Sequence, residues 1–140
     1  MNNKANGGDN VKMSQGENSY ILINRDLRML QVQLSYRDFK EDGWYFAECP
    51  ELRMMDQGKT KKEAYRNLVS LVLTNLVVAV ETGYLDDYLK ALGFSFNAAR
   101  RLCIFYSADI KRGLAHRFRL TLDIKFLKNL PGEIGVPVTA

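Results

Sequence analysis

Histidine is nearly missing from this chain, cysteine is scarce, and no apolar run matches the length of a membrane anchor. There is one histidine, His116, and there are two cysteines, Cys49 and Cys103, none at the intervals that zinc sites use. No metal and no cofactor are expected. His116 has no serine, cysteine or carboxylate motif around it that would mark a general base, so a surface or hydrogen-bonding role is the better reading. The acids do not form a magnesium-binding pattern, because Asp42, Glu48, Glu51, Asp56 and Glu63 read as turn, strand-edge, loop and cap residues. Gly58-Lys59-Thr60 looks like the end of a phosphate loop, but the upstream glycine is replaced by Arg53. These gaps weigh against an enzyme. Two cysteines without a leader fit a reducing cytoplasm, with a Cys49–Cys103 bridge as the weaker alternative.

What is present suits one compact domain with loose ends: 140 residues, 46% hydrophobic and 26% charged. Residues 1–28 read as a disordered tail, polar and Asn/Gly-rich, without the apolar core of a signal peptide. Within it, the four-residue apolar run Tyr20 to Ile23 is too short and isolated to place beyond an edge strand. Met13 and Met29 both offer later starts than Met1, and a start at Met29, where the strand pattern takes hold, would make the first 28 residues dispensable. Leu30, Val32, Leu34 and Tyr36 then alternate with polar neighbours, the period of a half-buried strand. Residues 38–42 read as a loop, Asp42-Gly43 as a turn, and Trp44 to Cys49 as the returning strand, ended by Pro50. On that strand the small residues Ala47 and Cys49 are assigned to the face under a helix, leaving Trp44 and Phe46 on the uncovered face, an aromatic pair that reads as an inter-subunit contact before anything chemical.

The helix itself is announced by Thr60 and Glu63, a capping box, and runs to about Val80, near 30 Å at 1.5 Å per residue. Its first half is amphipathic. Its second half, Leu71 to Val80, is apolar on almost every face, too short for a membrane span and suited to burial in an oligomer or under the C-terminal segment. Gly83 closes it, and Tyr84 to Leu92 reads as a short second helix ended by Gly93.

In order, Asp42-Gly43, the aromatic strand, Cys49-Pro50-Glu51-Leu52, Gln57-Gly58-Lys59-Thr60, Glu63-Ala64 and Asn67-Leu68 closely resemble the HicB family of antitoxin-like proteins. The resemblance spans residues 29–94 and extends to Leu92-Gly93-Phe94. It implies an α+β, partial RNase H-like fold: a three-stranded antiparallel sheet, one long helix packed on it, a further C-terminal strand and a short second helix, without a nuclease centre. It also implies a function: covering a small RNA-cleaving, HicA-like toxin, as a dimer or tetramer. HicA toxins being small and basic, the residues implied in docking are Glu41, Asp42, Glu48, Glu51 and Asp56, with Trp44 and Phe46 on the open face.

Residues 95–140 depart from that pattern. Phe96 to Tyr106 is ambiguous between helix and strand, whereas residues 117–127 alternate strictly and read as the strand that completes the sheet. Between Arg100 and Lys128 there are eight basic side chains against two acidic, a balance of +6 within a chain total of +4. Lys111, Arg112, Arg117, Arg119 and Lys125 are the candidate nucleic-acid contacts. The solvated face of an edge strand is the preferred alternative, because neither a recognition helix nor an aromatic row accompanies the charge.

Overall fold

A single strand of 13 residues, β2 (Met29–Glu41), carries the whole architecture because it is long enough to join two groups of strands into one sheet. The structure, a computed structural model, describes residues 19–24, 27–97, 102–105 and 116–125. Along its first part, β2 pairs antiparallel with β1 (Ser19–Asn24) through residues 29–33 and with β7 (His116–Asp123) through residues 29–36. Sharing residues 29–33, those two strands flank β2 on opposite edges. Along its last part, residues 37–41 pair with β3 (Trp44–Cys49), which in turn pairs with β4 (Met54–Gly58). Beyond β1 lie β6 (Leu102–Phe105) and β5 (Phe94–Asn97), joined as an antiparallel pair.

The sheet therefore contains seven strands among the described residues, where the sequence suggested three and a fourth. The architecture is α+β with an antiparallel sheet, one long helix and one short one. Three corrections follow. The tail does not extend to residue 28, since Ser19–Asn24 is an interior strand between β2 and β6. The loop assigned to residues 38–42 is strand up to Glu41. The hairpin closes through Asp42 and Gly43 alone, both at positive φ, 53° and 83°, the backbone of a type I′ turn. The final strand runs over His116–Asp123, so Lys125 lies past its end.

The long helix, α1 (Lys61–Thr82), begins as the capping box demands. Thr60 Oγ1 accepts the Glu63 N–H at 3.0 Å, while the Glu63 carboxylate takes the N–H of Lys59 at 2.5 Å, one residue before the expected one. Gly83, at φ 78°, terminates it, and α2 (Leu85–Ala91) follows. α1 lies across β3 and β4, burying Ala64, Leu68, Val72, Leu76, Ala79 and Val80. It approaches so closely at Gly58 that an added Cβ there would stand 2.6 Å from the Ala64 nitrogen. Over an 18-residue window α1 reaches a mean hydropathy of 1.2, enough by length and composition alone to cross a bilayer, a test that the core helix of a folded domain also passes. Ala47 and Cys49, both fully buried, sit beneath it as the pleat requires, with Ile21, Leu30, Val32 and Leu34 extending the core. The apolar surplus of its second half is only partly covered, since Val78 is 49% exposed beside a groove of about 440 Å³ between α1 and α2.

Both cysteines are free and buried. Burial and the neighbouring Glu51 carboxylate push the Cys49 thiol well above its ordinary value, and burial pushes Cys103 up to about 12. The folded chain thus holds thiol protons that an unfolded one releases above about pH 9, so these groups lower stability as pH rises past that point. We expect neither thiol to react with iodoacetamide at pH 8 in the native protein and both to react in urea, as counted by mass spectrometry. Rapid native labelling of Cys49 would contradict its position.

Candidate functional site

Directly paired residues of antiparallel strands share a face, so the pairings Arg37/Glu48, Phe39/Phe46, Glu41/Trp44, Phe46/Gln57 and Glu48/Met55 define one continuous surface. It is the surface opposite α1, because Ala47 and Cys49 point the other way. Phe39 and Phe46 stack across the strands with centroids 5.2 Å apart and planes 12° from parallel. Trp44 and Met55 remain 38% and 50% exposed. Arg37 bridges the strands to Glu48 at 2.7 Å and lies 6.0 Å from the Phe39 ring.

Of the seven residues singled out for docking, this face gathers Glu41, Trp44, Phe46 and Glu48. Asp42 is exposed at the adjoining turn. Asp56 pairs with Ala47 and so lies on the helix side. Glu51 is 1% exposed and cannot dock anything. Arg37, Phe39, Met55 and Gln57 were missed. The signal for Phe39 was available: a two-residue Asp-Gly turn requires pairing up to Glu41, which puts Arg37, Phe39 and Glu41 on the face of Trp44 and Phe46.

The outer edge of β4 is blunted. Across a two-residue turn Glu41 and Trp44 form a hydrogen-bonded pair, so Trp44, Phe46 and Glu48 aim their amides at β2, and Gln57 and Met55 opposite them aim theirs outward. The outward Gln57 N–H is taken by Asp56 Oδ1 at 2.8 Å, and its carbonyl accepts from Asn67 Nδ2 of α1 at 2.8 Å. A partner strand could not add there without breaking both bonds, which leaves the face as the accessible surface.

The same face continues onto β7. Arg117 pairs with Ser35 and Arg119 with Gln33, two and four residues along β2 from Arg37. Both arginines are exposed, and Arg119 Nε donates to Gln33 Oε1 at 2.6 Å. The aromatic row absent from the local sequence is thus supplied by β2 and β3. Lys125 is exposed, its Nζ 3.9 Å from Asp123 Oδ2, while Lys111 and Arg112 lie outside the described residues. His116 Nε2 lies 3.7 Å from Asp38 Oδ2, its ring against Tyr36 at 5.0 Å, on the helix side of β7.

Glu51 fills the interval on β2 between the ends of β1 and β3. Residues 34–36 of β2 pair with neither strand. There the Ser35 N–H and Oγ donate to Glu51 Oε2 at 2.8 and 2.5 Å, Ser19 Oγ of β1 donates to the same oxygen, and Cys49 Sγ of β3 donates to Oε1 at 3.5 Å. One carboxylate ties three strands together.

Among the described residues no three or more His, Cys, Asp or Glu side chains stand close enough to hold a metal ion. Comparison with known proteins returns no matching family model, no similar curated protein and no similar solved structure.

Proposed function

We propose that the protein is a non-enzymatic binding module of the HicB type, acting in the cytoplasm to cover a small RNA-cleaving toxin. In this reading β2, β3, β4 and α1 form a partial RNase H-like unit with β7 returning to β2. The single observation that carries it is the uncovered aromatic face. The Phe39–Phe46 stack, Trp44 and Met55 form an apolar centre rimmed by Glu41, Asp42 and Glu48, whose charge suits a basic partner. Exposed aromatics of this kind are the residues that dominate binding energy once desolvated. The test is co-purification with the product of the adjacent reading frame, together with rescue of growth when that product is expressed. Phe46→Ala with Trp44→Ala is expected to weaken capture by about 100-fold or more while leaving the far-ultraviolet spectrum unchanged. Undiminished capture by the double variant, or failure to relieve toxicity, removes this assignment.

A second reading is favoured by a separate observation, the run of Arg37, Arg117 and Arg119 on the sheet face that carries the aromatic stack. Aromatic side chains on an open sheet face stack bases, and arginines beside them meet the backbone of a single strand. Here affinity falls steeply with salt, and Arg117→Ala with Arg119→Ala weakens binding equally on every sequence. The two readings separate cleanly. A basic protein partner gains nothing from those arginines, whereas a single-stranded nucleic acid loses most of its affinity without them.

A further inference from the structure

β7 has β2 on one side, and among the described residues no strand pairs with its other side. The direction of its amides is fixed by the bond from Ile124 N–H to Arg28 O at 2.9 Å, just past the strand's end. By alternation the amides of His116, Phe118, Leu120 and Leu122 face β2, and those of Arg117, Arg119, Thr121 and Asp123 face away. No block like that of Asp56 and Asn67 on β4 is seen at this edge among the described residues. On the helix side of the strand, Tyr65 of α1 covers Phe118, with ring centroids 6.2 Å apart, while Leu120 and Leu122 beyond it remain half-buried. An eight-residue edge with an apolar flank on one face and charge on the other is a surface prepared for another strand.

We propose that this strand is the β7 of a second copy, paired antiparallel about a two-fold axis at Leu120. In that register Arg117 meets the other copy's Asp123, Arg119 its Thr121, Phe118 its Leu122, and Leu120 its own equivalent. The outward amides of Arg117, Arg119, Thr121 and Asp123 then form the hydrogen-bonded pairs. The charges choose this register. Centring the axis on Phe118 sets Arg117 opposite Arg119, centring it on Arg119 sets that residue opposite its own copy, and centring it on Leu122 sets Arg119 opposite Lys125. Centring it on Thr121 pairs Arg119 with Asp123 but sets Arg117 opposite Lys125, so only the Leu120 register has opposite charges facing with no like pair. Arg117 already interacts within its own chain, and Asp123 with Lys125, so the cross-strand pair selects register more than it adds affinity. The axis stands perpendicular to the sheet. Both α1 helices therefore lie on one side of the joined sheet and both aromatic faces on the other, with four arginines between them. The inference does not depend on what the face binds.

The test is sedimentation equilibrium on the full chain at micromolar concentration, without nucleic acid or partner protein. A dimer is expected. Thr121→Pro removes an outward N–H without touching the β2 ladder, and the variant should be a folded monomer by circular dichroism. Arg117→Glu or Asp123→Lys alone converts two symmetry-related opposite-charge pairs into like-charge pairs and weakens the dimer about tenfold or more, while the two together restore it. A monomeric native chain, a dimer indifferent to Thr121→Pro, or a double swap that fails to restore association would each overturn the proposal.

Discussion

Glu51→Ala lowers the free energy of unfolding by about 3 kcal/mol or more, read as a fall in the urea midpoint with an unchanged slope. The reason is the number of donors left without an acceptor. Ser19 and Ser35 hydroxyls can turn elsewhere, but the Ser35 N–H is fixed in β2 at a point where neither β1 nor β3 supplies a carbonyl, and it is buried. A buried amide without a partner costs about 1–3 kcal/mol by itself, and the vacated volume adds to this. Glu51→Gln keeps an acceptor oxygen and so costs less. Ser35→Ala should lose most of its own effect in the Glu51→Ala background, because the Oγ bond is already gone. A loss below about 1 kcal/mol for Glu51→Ala would mean that water replaces the carboxylate and that the three strands do not need it.

That cluster was illegible in the sequence, where Glu51 stands in an exposed-looking Pro-Glu-Leu turn and its partners lie 16 and 32 residues away. What could be read were features written in neighbouring residues. The alternation of Leu30 to Tyr36, the Thr60/Glu63 cap, the αL glycine at position 83 and the alternation around Phe118 all appear where expected. The failures share a physical cause. β4 reads Met-Met-Asp-Gln-Gly, with no β-branched or aromatic residue, and is a strand because β3 offers it a ladder. β1 is interior, flanked by β2 and β6, so it shows a continuous apolar run and no clear alternation. The placing of Arg117 and Arg119 on the sheet face that carries the Phe39–Phe46 stack depends on β7 pairing with β2, residues about 80 positions apart, and no local pattern encodes it.

A chain begun at Met29 does not fold. The polar composition of residues 1–28 suggests a dispensable tail, but the deletion removes β1 with them. Ile21 and Ile23 are 0% and 2% exposed, and burying each such side chain contributes about 1.5–3 kcal/mol. Hydrogen bonding suffers more broadly, because β1 lends one edge to β2 and the other to β6. Without it, β6 and β5 lose the strand that joins them to the rest of the sheet, and Glu51 loses Ser19. The combined loss is comparable to the whole stability of a domain this size, about 5–15 kcal/mol. Deleting only residues 1–17 spares β1 and serves as the control. The shorter deletion should give a cooperative melt close to that of the full chain, whereas the chain from Met29 should give none and collect in the insoluble fraction. If the Met29 chain melts cooperatively with native helix content, then β2, β3, β4 and α1 form a unit that stands without β1, and the structural need assigned to β1 is wrong.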